Sequence, residues 1–500
     1  MTKIHKIFGP PGAGKTTYLL NRVEKELEAG VPSSAIGYFS FTRKAATEAK
    51  ERAIAKFEHL NAETDFPWFR TLHSLAYRCL RVTNSEIMKP EHYREFAREA
   101  GLEISVDTGE EGFVVHTDNP ILNEINIARI RGMDLRTHYN RSSIRIEWFH
   151  FEYVERAYRH FKDARNLMDF TDLLQQIVNE PDYLPRLEVL IVDEAQDLSR
   201  LQWELVVALS ERSNRTYVAG DDDQAVYVWA GADVQTFLSL EGNIKVLEQS
   251  YRVPAKVHEL ADKVVKRIRS RQEKEWHPRQ EQGEVRYYNA FDHVDVSNGE
   301  WLILASTNYM LNDLHEWVKS QGLMFERHGQ RSISENILSA VLGWETLRKG
   351  KALPMPVVKN IYKHLGTEFV KRGFKTLRDI DPNNEYTLEE LKASYGLLTD
   401  DIWHKVLTKI SDAQCQYIIS ILRRGAKLTG KVPIKLSTIH GAKGGEADNV
   451  LLLTDLSPKF ANDYAHNSDD INRLLYVGMT RAKHSLHIVM PRNIEKGFRI

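Results

Sequence analysis

Cysteine, long apolar runs and an excess of charge of one sign are all lacking in this sequence. Only Cys79 and Cys415 are present among 500 residues, so a disulfide framework and a four-cysteine zinc or iron–sulfur site are excluded. We find no apolar stretch of about 20 residues, the length that spans a bilayer. A strand pattern begins close to Met1 and leaves no room for a secretory signal. The sequence therefore predicts a cytoplasmic protein without a membrane partner.

Positive and negative residues are nearly equal in number, with 68 Lys and Arg against 69 Asp and Glu and a net charge of −1. A small nucleic-acid module is usually basic, so this balance disfavours binding through overall charge alone. A large enzyme with a local basic channel stays open, because binding depends on where the charges lie. The length and a hydrophobic share of 42% are enough for roughly three or four domains with cores of their own.

Predicted strands and helices alternate along much of the chain. Helical spacing of apolar residues runs over 15–29, and a strand at 36–41 is followed by a helix at 42–54. Short apolar runs predict further strands at 187–192, 216–219, 301–305, 450–454 and 487–490. Such alternation predicts an α/β fold with mostly parallel sheets and with ligands at the carboxyl ends of the strands. Helical patterns at 75–162 and 330–431 interrupt the alternation and predict two insertions.

Residues 9–16 read GPPGAGKT, directly after an apolar-leaning run and before a helical pattern. This is the phosphate-loop sequence G-x-x-x-x-G-K-[ST] in the strand-loop-helix setting that it requires. Its glycines let backbone N–H groups turn inward toward an anion, and the helix adds the positive end of its dipole. Lys15 supplies a charge for the β- and γ-phosphates, and the Thr16 hydroxyl supplies a ligand for magnesium. The alternative is a glycine-rich turn without a ligand. The filled motif favours binding of a nucleoside triphosphate.

A second chemical signal is the run VLIVDEAQD at residues 189–197. A buried strand of this kind delivers Asp193 beside the phosphate loop, where its carboxylate can hold magnesium. Glu194 then stands where it can orient and deprotonate an attacking water molecule. The alternative is a strand that ends in a solvated acidic turn, which would be the better interpretation of an isolated Asp-Glu pair. The phosphate loop elsewhere in the chain favours the catalytic interpretation.

These two signals belong to a colinear series of short motifs that extends over nearly the whole chain. The series consists of GPPGAGKT at 9–16, FSFTRKAA at 39–46, TLHS at 71–74, DFTDLL at 169–174, DEAQD at 193–197, AGDDDQAVYVWAGA at 219–232, LEQSYR at 247–252, TIHGAKGGE at 438–446 and LYVGMTRAK at 475–483. In this order it resembles motifs I, Ia and Ib, the Asp-Phe-x-Asp-Leu segment, and motifs II to VI of superfamily 1 helicases of the UvrD/Rep/PcrA type. Each short motif is weak evidence alone, and their joint order is strong evidence.

The resemblance implies an α/β fold with two RecA-like P-loop domains that have parallel sheets, each carrying a mostly helical insertion. The first domain is expected at 1–75 and 165–246, with its insertion at 76–164. The second is expected at 247–330 and 431–500, with its insertion at 331–430. ATP and Mg²⁺ are then expected in the cleft between the domains. Closure and opening of that cleft would move a single strand of DNA.

The resemblance also implies roles for individual residues. It implies catalytic roles for Lys15, Glu194, Gln224, Arg252 and Arg481. Gln224 would sense the γ-phosphate, and the two arginines would act as arginine fingers contributed by the second domain. ATP contacts are expected from Gly9, Pro10, Pro11, Gly12, Ala13, Gly14, Lys15, Thr16, Thr17, Gln224, Tyr251, Arg252, Glu446 and Arg481, with Tyr251 on the adenine and Glu446 on the ribose. The metal ligands would be Thr16 and Asp193. For an arbitrary arginine the alternative is a surface salt bridge.

A groove for nucleic acid is expected to contain aromatic side chains, because stacking binds bases without regard to sequence. By resemblance, the base-stacking residues are Phe41, Tyr227 and Trp229. Candidates for phosphate or sugar contacts are Thr42, Thr71, His73 and His440. The alternative for all of them is ordinary core aromatic residues and helix-capping hydroxyls.

The expected activity is that of an ATP-dependent DNA helicase and single-stranded DNA translocase that moves 3′ to 5′. Its expected partners are single-stranded DNA and junctions of single and double strands, together with unidentified replication or repair proteins, and a monomer is expected in solution. The alternative is a translocase that displaces bound protein without separating strands. Three positions depart from the family pattern. Ala230 and Thr17 stand where an arginine is usual, near the DNA strand and beside the adenine respectively, and Gly445 stands where a leucine is usual.

Overall fold

The computed structural model describes residues 3–41, 43–56, 65–108, 115–377 and 381–500. It divides the chain into two compact units. Unit 1 comprises residues 1–283 and 462–480, and unit 2 comprises residues 284–461 and 481–500. Each unit has a sheet of its own.

The main sheet of unit 1 contains six parallel strands. The strands of this unit are β1 Lys3–Phe8, β2 Ile36–Ser40, β3 Phe69–Thr71, β4 Val106–Thr108, β5 Val115–Thr117, β6 Leu187–Asp193, β7 Ser213–Gly220 and β8 Asn243–Val246. The main sheet has the order β3-β2-β6-β7-β1-β8, and β4 and β5 form a separate antiparallel pair. The strands predicted near 36–41, 187–192 and 216–219 are confirmed as β2, β6 and β7, of which β7 starts three residues earlier than predicted.

Alternate residues of the central strands face opposite sides of this sheet, as the period of two in a strand requires. On one face, Val189 and Ile191 of β6 pack with residues of the first two helices. On the other face, Leu190 and Val192 pack with helices that come later in the chain. Both faces are therefore covered, which is why β6 reads as a continuous apolar run.

Helices of unit 1 cover the sheet and form the predicted insertion. They are α1 Lys15–Glu28, α2 Arg43–Lys56, α3 Leu72–Cys79, α4 Pro90–Ala100, α5 Pro120–Ile130, α6 Leu135–Arg141, α7 Trp148–Arg165, α8 Phe170–Asn179, α9 Arg200–Glu211, α10 Val234–Ser239 and α11 Ala255–Val265. Helices α4 to α7 share a core of their own, built around Phe96, Phe151 and Phe161. The helical character predicted for this insertion is confirmed, and the β4–β5 pair within it was not predicted.

Unit 2 is built on a seven-stranded sheet. Its strands are β9 Glu284–Tyr288, β10 Trp301–Ala305, β11 Phe325–Arg327, β12 Gln330–Arg331, β13 Leu353–Pro354, β14 Glu385–Tyr386, β15 Ile434–Thr438, β16 Ala447–Leu453 and β17 Ala482–Val489. The order is β12-β11-β15-β10-β16-β17-β9, parallel except for the β11–β12 pair, while β13 and β14 form a small separate pair. The predicted strand 301–305 is confirmed as β10, and the other two predicted strands begin earlier than expected.

Helices of unit 2 continue the core of this sheet. They are α12 Leu311–Ser320, α13 Glu335–Arg348, α14 Met355–His364, α15 Leu388–Ser394, α16 Trp403–Val406 and α17 Asp412–Arg423. One hydrophobic core joins residues of β10, β15 and β16 to α13, α14 and α17. The chain leaves unit 2 within α18 Pro458–His466 and then forms α19 Ser468–Met479 in unit 1. Within the described ranges, no helix combines the length and the apolar character that crossing a membrane requires.

A buried ion cluster joins three helices of unit 1 at the start of α8. The Asp169 carboxylate accepts hydrogen bonds from Arg129 at 2.6 Å, from Lys162 at 2.9 Å and from the Tyr158 hydroxyl at 3.0 Å. Asp169 also caps α8 by accepting from the backbone N–H of Asp172 at 2.8 Å. Arg129 lies on α5 and Lys162 on α7, so one carboxylate fixes both helices against α8.

We expect Asp169→Ala to lower the free energy of unfolding of unit 1 by about 3 kcal/mol, because it leaves buried cations short of a partner. The measurement is urea unfolding followed by tryptophan fluorescence. The control is Glu48→Ala, which removes a carboxylate from an exposed pair with Arg52 one helical turn away. That variant should change the unfolding free energy by less than about 0.5 kcal/mol. Equal effects of the two substitutions would contradict the structural role given to Asp169.

Candidate functional site

The phosphate loop lies between the end of β1 and the start of α1. Gly12 and Gly14 both have φ of 74°, a left-handed conformation that side chains disfavour. Helix α1 begins at Lys15, whose ammonium donates to the Gly9 carbonyl at 2.9 Å. Thr17 is exposed on the first turn of that helix. The loop and helix thus have the backbone form that directs N–H groups toward an anion.

The two predicted metal ligands lie together. The Thr16 hydroxyl donates to the Asp193 carboxylate at 3.0 Å, although β7 separates β1 from β6 in the sheet. The Tyr38 hydroxyl donates to the same carboxylate oxygen at 2.7 Å. A carboxylate and a hydroxyl are oxygen ligands of the kind that Mg²⁺ prefers, so this pair fits the ion.

Burial governs the ionisation of this group of side chains. Desolvation and then the neighbouring Glu194 carboxylate raise the pKa of Asp193. Desolvation and the Asp193 charge likewise hold the pKa of Tyr38 well above its ordinary value. The tyrosine therefore remains a hydrogen-bond donor to the carboxylate. The sequence did not identify Tyr38 as a site residue. The only indication of its role is the position of its strand, because β2 ends beside β6 in the sheet.

Glu194 is held by its neighbours in the turn after β6. Its backbone is left-handed with φ of 55°, and its N–H donates to the Asp193 carboxylate at 2.9 Å. Its own carboxylate accepts from the Gln196 side-chain amide at 2.6 Å. The carbonyl oxygen of that amide accepts from the Asp221 N–H at 2.9 Å. A Cβ on Gly220 would lie 2.6 Å from the same oxygen, so glycine is required at the end of β7.

Three consecutive buried aspartates follow β7. The carboxylates of Asp221, Asp222 and Asp223 lie within 4.8 Å of one another. The ammonium of Lys274 stands among them, 3.3 Å from Asp221, 2.5 Å from Asp222 and 2.7 Å from Asp223. Arg271 adds two hydrogen bonds of 2.8 Å to Asp223. We call these five residues the Lys274 cluster. Sequence reasoning assigned no role to its two cations.

Charge compensation and desolvation compete within the Lys274 cluster. Desolvation raises the pKa of Asp222 to about 6, against the opposing effect of Lys274. Desolvation also disfavours the lysine cation, yet the three carboxylates raise the pKa of Lys274 above its ordinary value. The lysine therefore remains charged, and it takes the place that a metal ion would need.

Gln224 lies next to this cluster and is buried. Its side-chain amide donates to the Asp221 carboxylate at 2.6 Å. The predicted γ-phosphate sensor is thus connected directly to the cluster.

A segment beyond β8 packs on the phosphate loop. The Ser250 hydroxyl donates to the Pro11 carbonyl at 2.7 Å, and the Tyr251 N–H donates to the Gly12 carbonyl at 2.9 Å. A Cβ on Gly12 would lie 2.4 Å from the Cβ of Arg252. The Tyr251 ring is 73% exposed. The resemblance implied that this segment comes from the second domain, whereas the structure groups it with the phosphate loop in unit 1.

Three predicted residues lie in unit 2. Arg481 is buried, and its guanidinium donates to the Gly445 carbonyl at 3.2 Å. The adjacent Glu446 is exposed. The His440 ring lies 6.1 Å from the ring of Phe460 between centroids. Their roles toward ATP and DNA stay predictions.

The predicted base-stacking residues lie on the described surface of unit 1. The rings of Phe41 and Tyr227 are stacked, with centroids 5.7 Å apart. Trp229 lies in a short 3₁₀ turn directly after Tyr227 and is 55% exposed. The structure therefore brings Phe41 and Tyr227 together and leaves the indole of Trp229 accessible. Thr42 lies outside the described residues.

Thr71 and His73 lie where β3 leads into α3. The Thr71 hydroxyl accepts from the Ser74 N–H at 3.2 Å and caps α3, as the alternative interpretation of this residue required. Desolvation lowers the pKa of His73 to about 4, so the ring is neutral at pH 7. A cavity of about 440 Å³ opens beside Thr71, with Lys50 and Arg70 in its wall. Contacts of Thr71 and His73 with nucleic acid stay predictions.

Two family models match this chain. A family model described as the UvrD/REP helicase N-terminal domain matches residues 1–245. A second, described as the UvrD-like helicase C-terminal domain, matches residues 417–493. The two matches contain all the motifs quoted above except LEQSYR at 247–252.

Curated relatives carry helicase names. DNA helicase II of Haemophilus influenzae is 23% identical over 361 residues, in a match that covers 67% of this chain and 48% of the relative. ATP-dependent DNA helicase PcrA of Bacillus subtilis is 27% identical over 380 residues, in a match that covers 71% of this chain and 50% of the relative. The PcrA of Staphylococcus epidermidis is 28% identical over 318 residues, and that match covers 58% of this chain and 42% of the relative. This chain spans about half the length of the curated relatives that it matches.

We expect Gly12→Ala to displace the segment that packs on the phosphate loop, because its Cβ would clash with Arg252. Hydrogen exchange of the Tyr251 amide, which donates to Gly12, should then accelerate by at least about tenfold. The matched control is Gly14→Ala, which has the same φ but only Thr17 within 4 Å, at 4.0 Å. It should strain the loop and leave that amide protected. Equal exchange in the two variants would contradict the packing of Tyr251 and Arg252 on the loop.

Proposed function

We propose that this chain is an ATP-dependent DNA helicase that translocates 3′ to 5′ on single-stranded DNA. The chain belongs to the UvrD/REP family of helicases. The observation that carries the proposal is the contact of Thr16 with Asp193 beside the phosphate loop, with Glu194 in the next position. This arrangement would bring a phosphate cradle, a pair of metal ligands and a base together in one place.

The proposed chemistry is hydrolysis of ATP by an in-line water molecule. Lys15 and the backbone N–H groups of the loop would bind the phosphates, and Thr16 and Asp193 would hold Mg²⁺. When bound, the ion neutralises charge on the phosphate oxygens. Glu194, oriented by Gln196, would take the proton of the attacking water.

Further nucleotide contacts are proposed by family resemblance. Gln224 would sense the γ-phosphate, Tyr251 would stack on the adenine, and Glu446 would contact the ribose. Arg252 and Arg481 would stabilise the charge that develops on the transferred phosphoryl group. The exposure of the Tyr251 ring and the packing of Arg252 on the loop support the roles proposed for these two residues.

The proposed DNA track runs over unit 1 beside Phe41, Tyr227 and Trp229. Their rings would stack on successive bases, which explains binding without sequence preference. Single-stranded DNA and its junctions with duplex are the proposed substrates, and replication or repair proteins are the proposed partners. The division into two RecA-like domains at residue 246, each with an insertion, is kept as part of the proposal.

The experiment that tests this function is ATP-driven unwinding of a duplex with a 3′ single-stranded tail, measured beside ATP hydrolysis. Wild-type protein should unwind this substrate, leave a duplex with a 5′ tail intact and hydrolyse ATP faster when single-stranded DNA is added. Glu194→Gln should lower hydrolysis by at least about 100-fold and keep ATP binding, because it removes only the base. The control is Glu204→Gln on the exposed face of α9, which should behave as wild type.

Each contrary result would contradict a different part of the proposal. Unchanged hydrolysis in Glu194→Gln would contradict the role of this base. Translocation with displacement of bound protein but without unwinding would favour the alternative motor activity over a helicase. Hydrolysis that no single-stranded DNA stimulates would contradict the whole proposal.

For the DNA track, we expect Trp229→Ala to weaken stimulation of ATP hydrolysis by single-stranded DNA about tenfold, because one stacking contact is lost. Basal hydrolysis and ATP binding should stay unchanged. The measurement is the DNA concentration that gives half-maximal stimulation. The control is Tyr183→Ala, which removes another aromatic ring that is 60% exposed and lies outside the proposed track. A proportional loss of basal and stimulated rates in Trp229→Ala would indicate misfolding instead of a lost base contact.

A further inference from the structure

A continuous chain of polar contacts in unit 1 starts at Glu194. The Glu194 carboxylate accepts from the side-chain amide of Gln196, and the carbonyl of that amide accepts from the N–H of Asp221. Gln196 has no exposed surface. The bond from Asp221 is buried and the bond to Glu194 is partly buried, so a shift of either partner would leave the buried amide of Gln196 unsatisfied.

The chain of polar contacts then reaches the Lys274 cluster. The Asp221 carboxylate accepts from Gln224 at 2.6 Å and pairs with Lys274 at 3.3 Å. Glu194 and Gln224, the two side chains proposed to face the γ-phosphate end of ATP, thus converge on one aspartate. Because an unpaired buried charge is costly, Lys274 has to stay within reach of all three carboxylates.

The chain of polar contacts ends on helix α19. Arg473 of this helix donates from Nε to the Asp222 carbonyl at 2.9 Å and from a terminal nitrogen to the Ser270 carbonyl at 2.5 Å. The Asp469 carboxylate, one turn earlier, accepts from the backbone N–H groups of Arg269 and Ser270 at 3.2 and 3.1 Å. Helix α19 is thereby bonded both to the aspartates and to the segment that carries Lys274.

We propose that Lys274 and Arg473 are positioning residues that couple Glu194 and Gln224 to helix α19. The inference rests on the proposed function, since those two side chains respond to the nucleotide only if ATP binds as proposed. A nucleotide that shifts Gln224 shifts Asp221, and the buried cluster transmits the displacement to α19 because its ion pairs cannot be replaced by water. The polypeptide continues from the end of α19, after one residue, into Arg481.

The first measurement is the split between kcat and KM for ATP at saturating single-stranded DNA. Arg473→Lys keeps the charge and loses the Nε donor to Asp222, so it should lower kcat about tenfold and change KM by less than about twofold. Lys274→Met should give the same split. The matched control is Lys162→Met, which removes a buried lysine of the insertion from the carboxylates of Asp169 and Asp172. It should lower stability and leave both constants unchanged.

The second measurement is hydrogen exchange with Mg²⁺ and the non-hydrolysable analogue AMP-PNP. In wild type and in Lys162→Met, the analogue should slow exchange of the phosphate-loop amides and of residues 468–479. In Arg473→Lys it should protect the phosphate loop alone. Should Lys274→Met fail to fold, Arg473→Lys decides the matter, since it leaves the cluster's own ion pairs in place.

Two results would overturn the inference and leave the proposed function intact. One is protection of α19 by the analogue in Arg473→Lys to the wild-type extent, together with an unchanged kcat. The other is the same loss of kcat in Lys162→Met as in Lys274→Met, which would reduce Lys274 to a structural role. If the analogue protects no phosphate-loop amide in wild type, the proposed function fails, and the coupling fails with it.

Discussion

Burial of three consecutive carboxylates in this protein depends on the two cations that compensate them, Lys274 and Arg271. Asp221, Asp222 and Asp223 have no exposed surface, and the Lys274 ammonium lies among them, also fully buried. An uncompensated group of this kind would cost several kcal/mol per ion. The cluster therefore fixes the turn after β7, and with it Gln224 and the backbone N–H that holds Gln196.

The geometry of the proposed catalytic residues depends on the order of the strands. The strands β1 and β6 are not neighbours, and β7 lies between them. The end of β7 therefore lies between the phosphate loop and Glu194. Gly220 stands at this end of β7, where a Cβ would enter the space of Gln196. Helix α1 can then bring Thr16 to Asp193 across the strand between them.

Motifs that are read from the sequence identify residue types but not the partners that hold them. The GPPGAGKT and DEAQD runs predicted the phosphate loop, its metal ligands and the base, and the structure brings Thr16 and Asp193 together. Tyr38, Gln196, Lys274 and Arg473 had no such signal. Each reaches the site through a contact between residues far apart in the chain, and spacing along the sequence carries no information about such contacts.

The sequence by itself determined the α/β class, the strands β1, β2, β6, β7, β10, β16 and β17, and the family, because apolar periodicity and short colinear motifs are local properties of the chain. It did not predict the strands β3, β8, β9, β11, β12 and β15 of the same two sheets. The tertiary structure decided the rest. It grouped the Tyr251 and Arg252 segment with the phosphate loop, and it used the Thr71 hydroxyl as a helix cap. It also filled a cluster of aspartates with a lysine where a metal ion could otherwise bind. These outcomes depend on which buried charges and hydrogen-bonding groups meet, and only the packed chain brings them together.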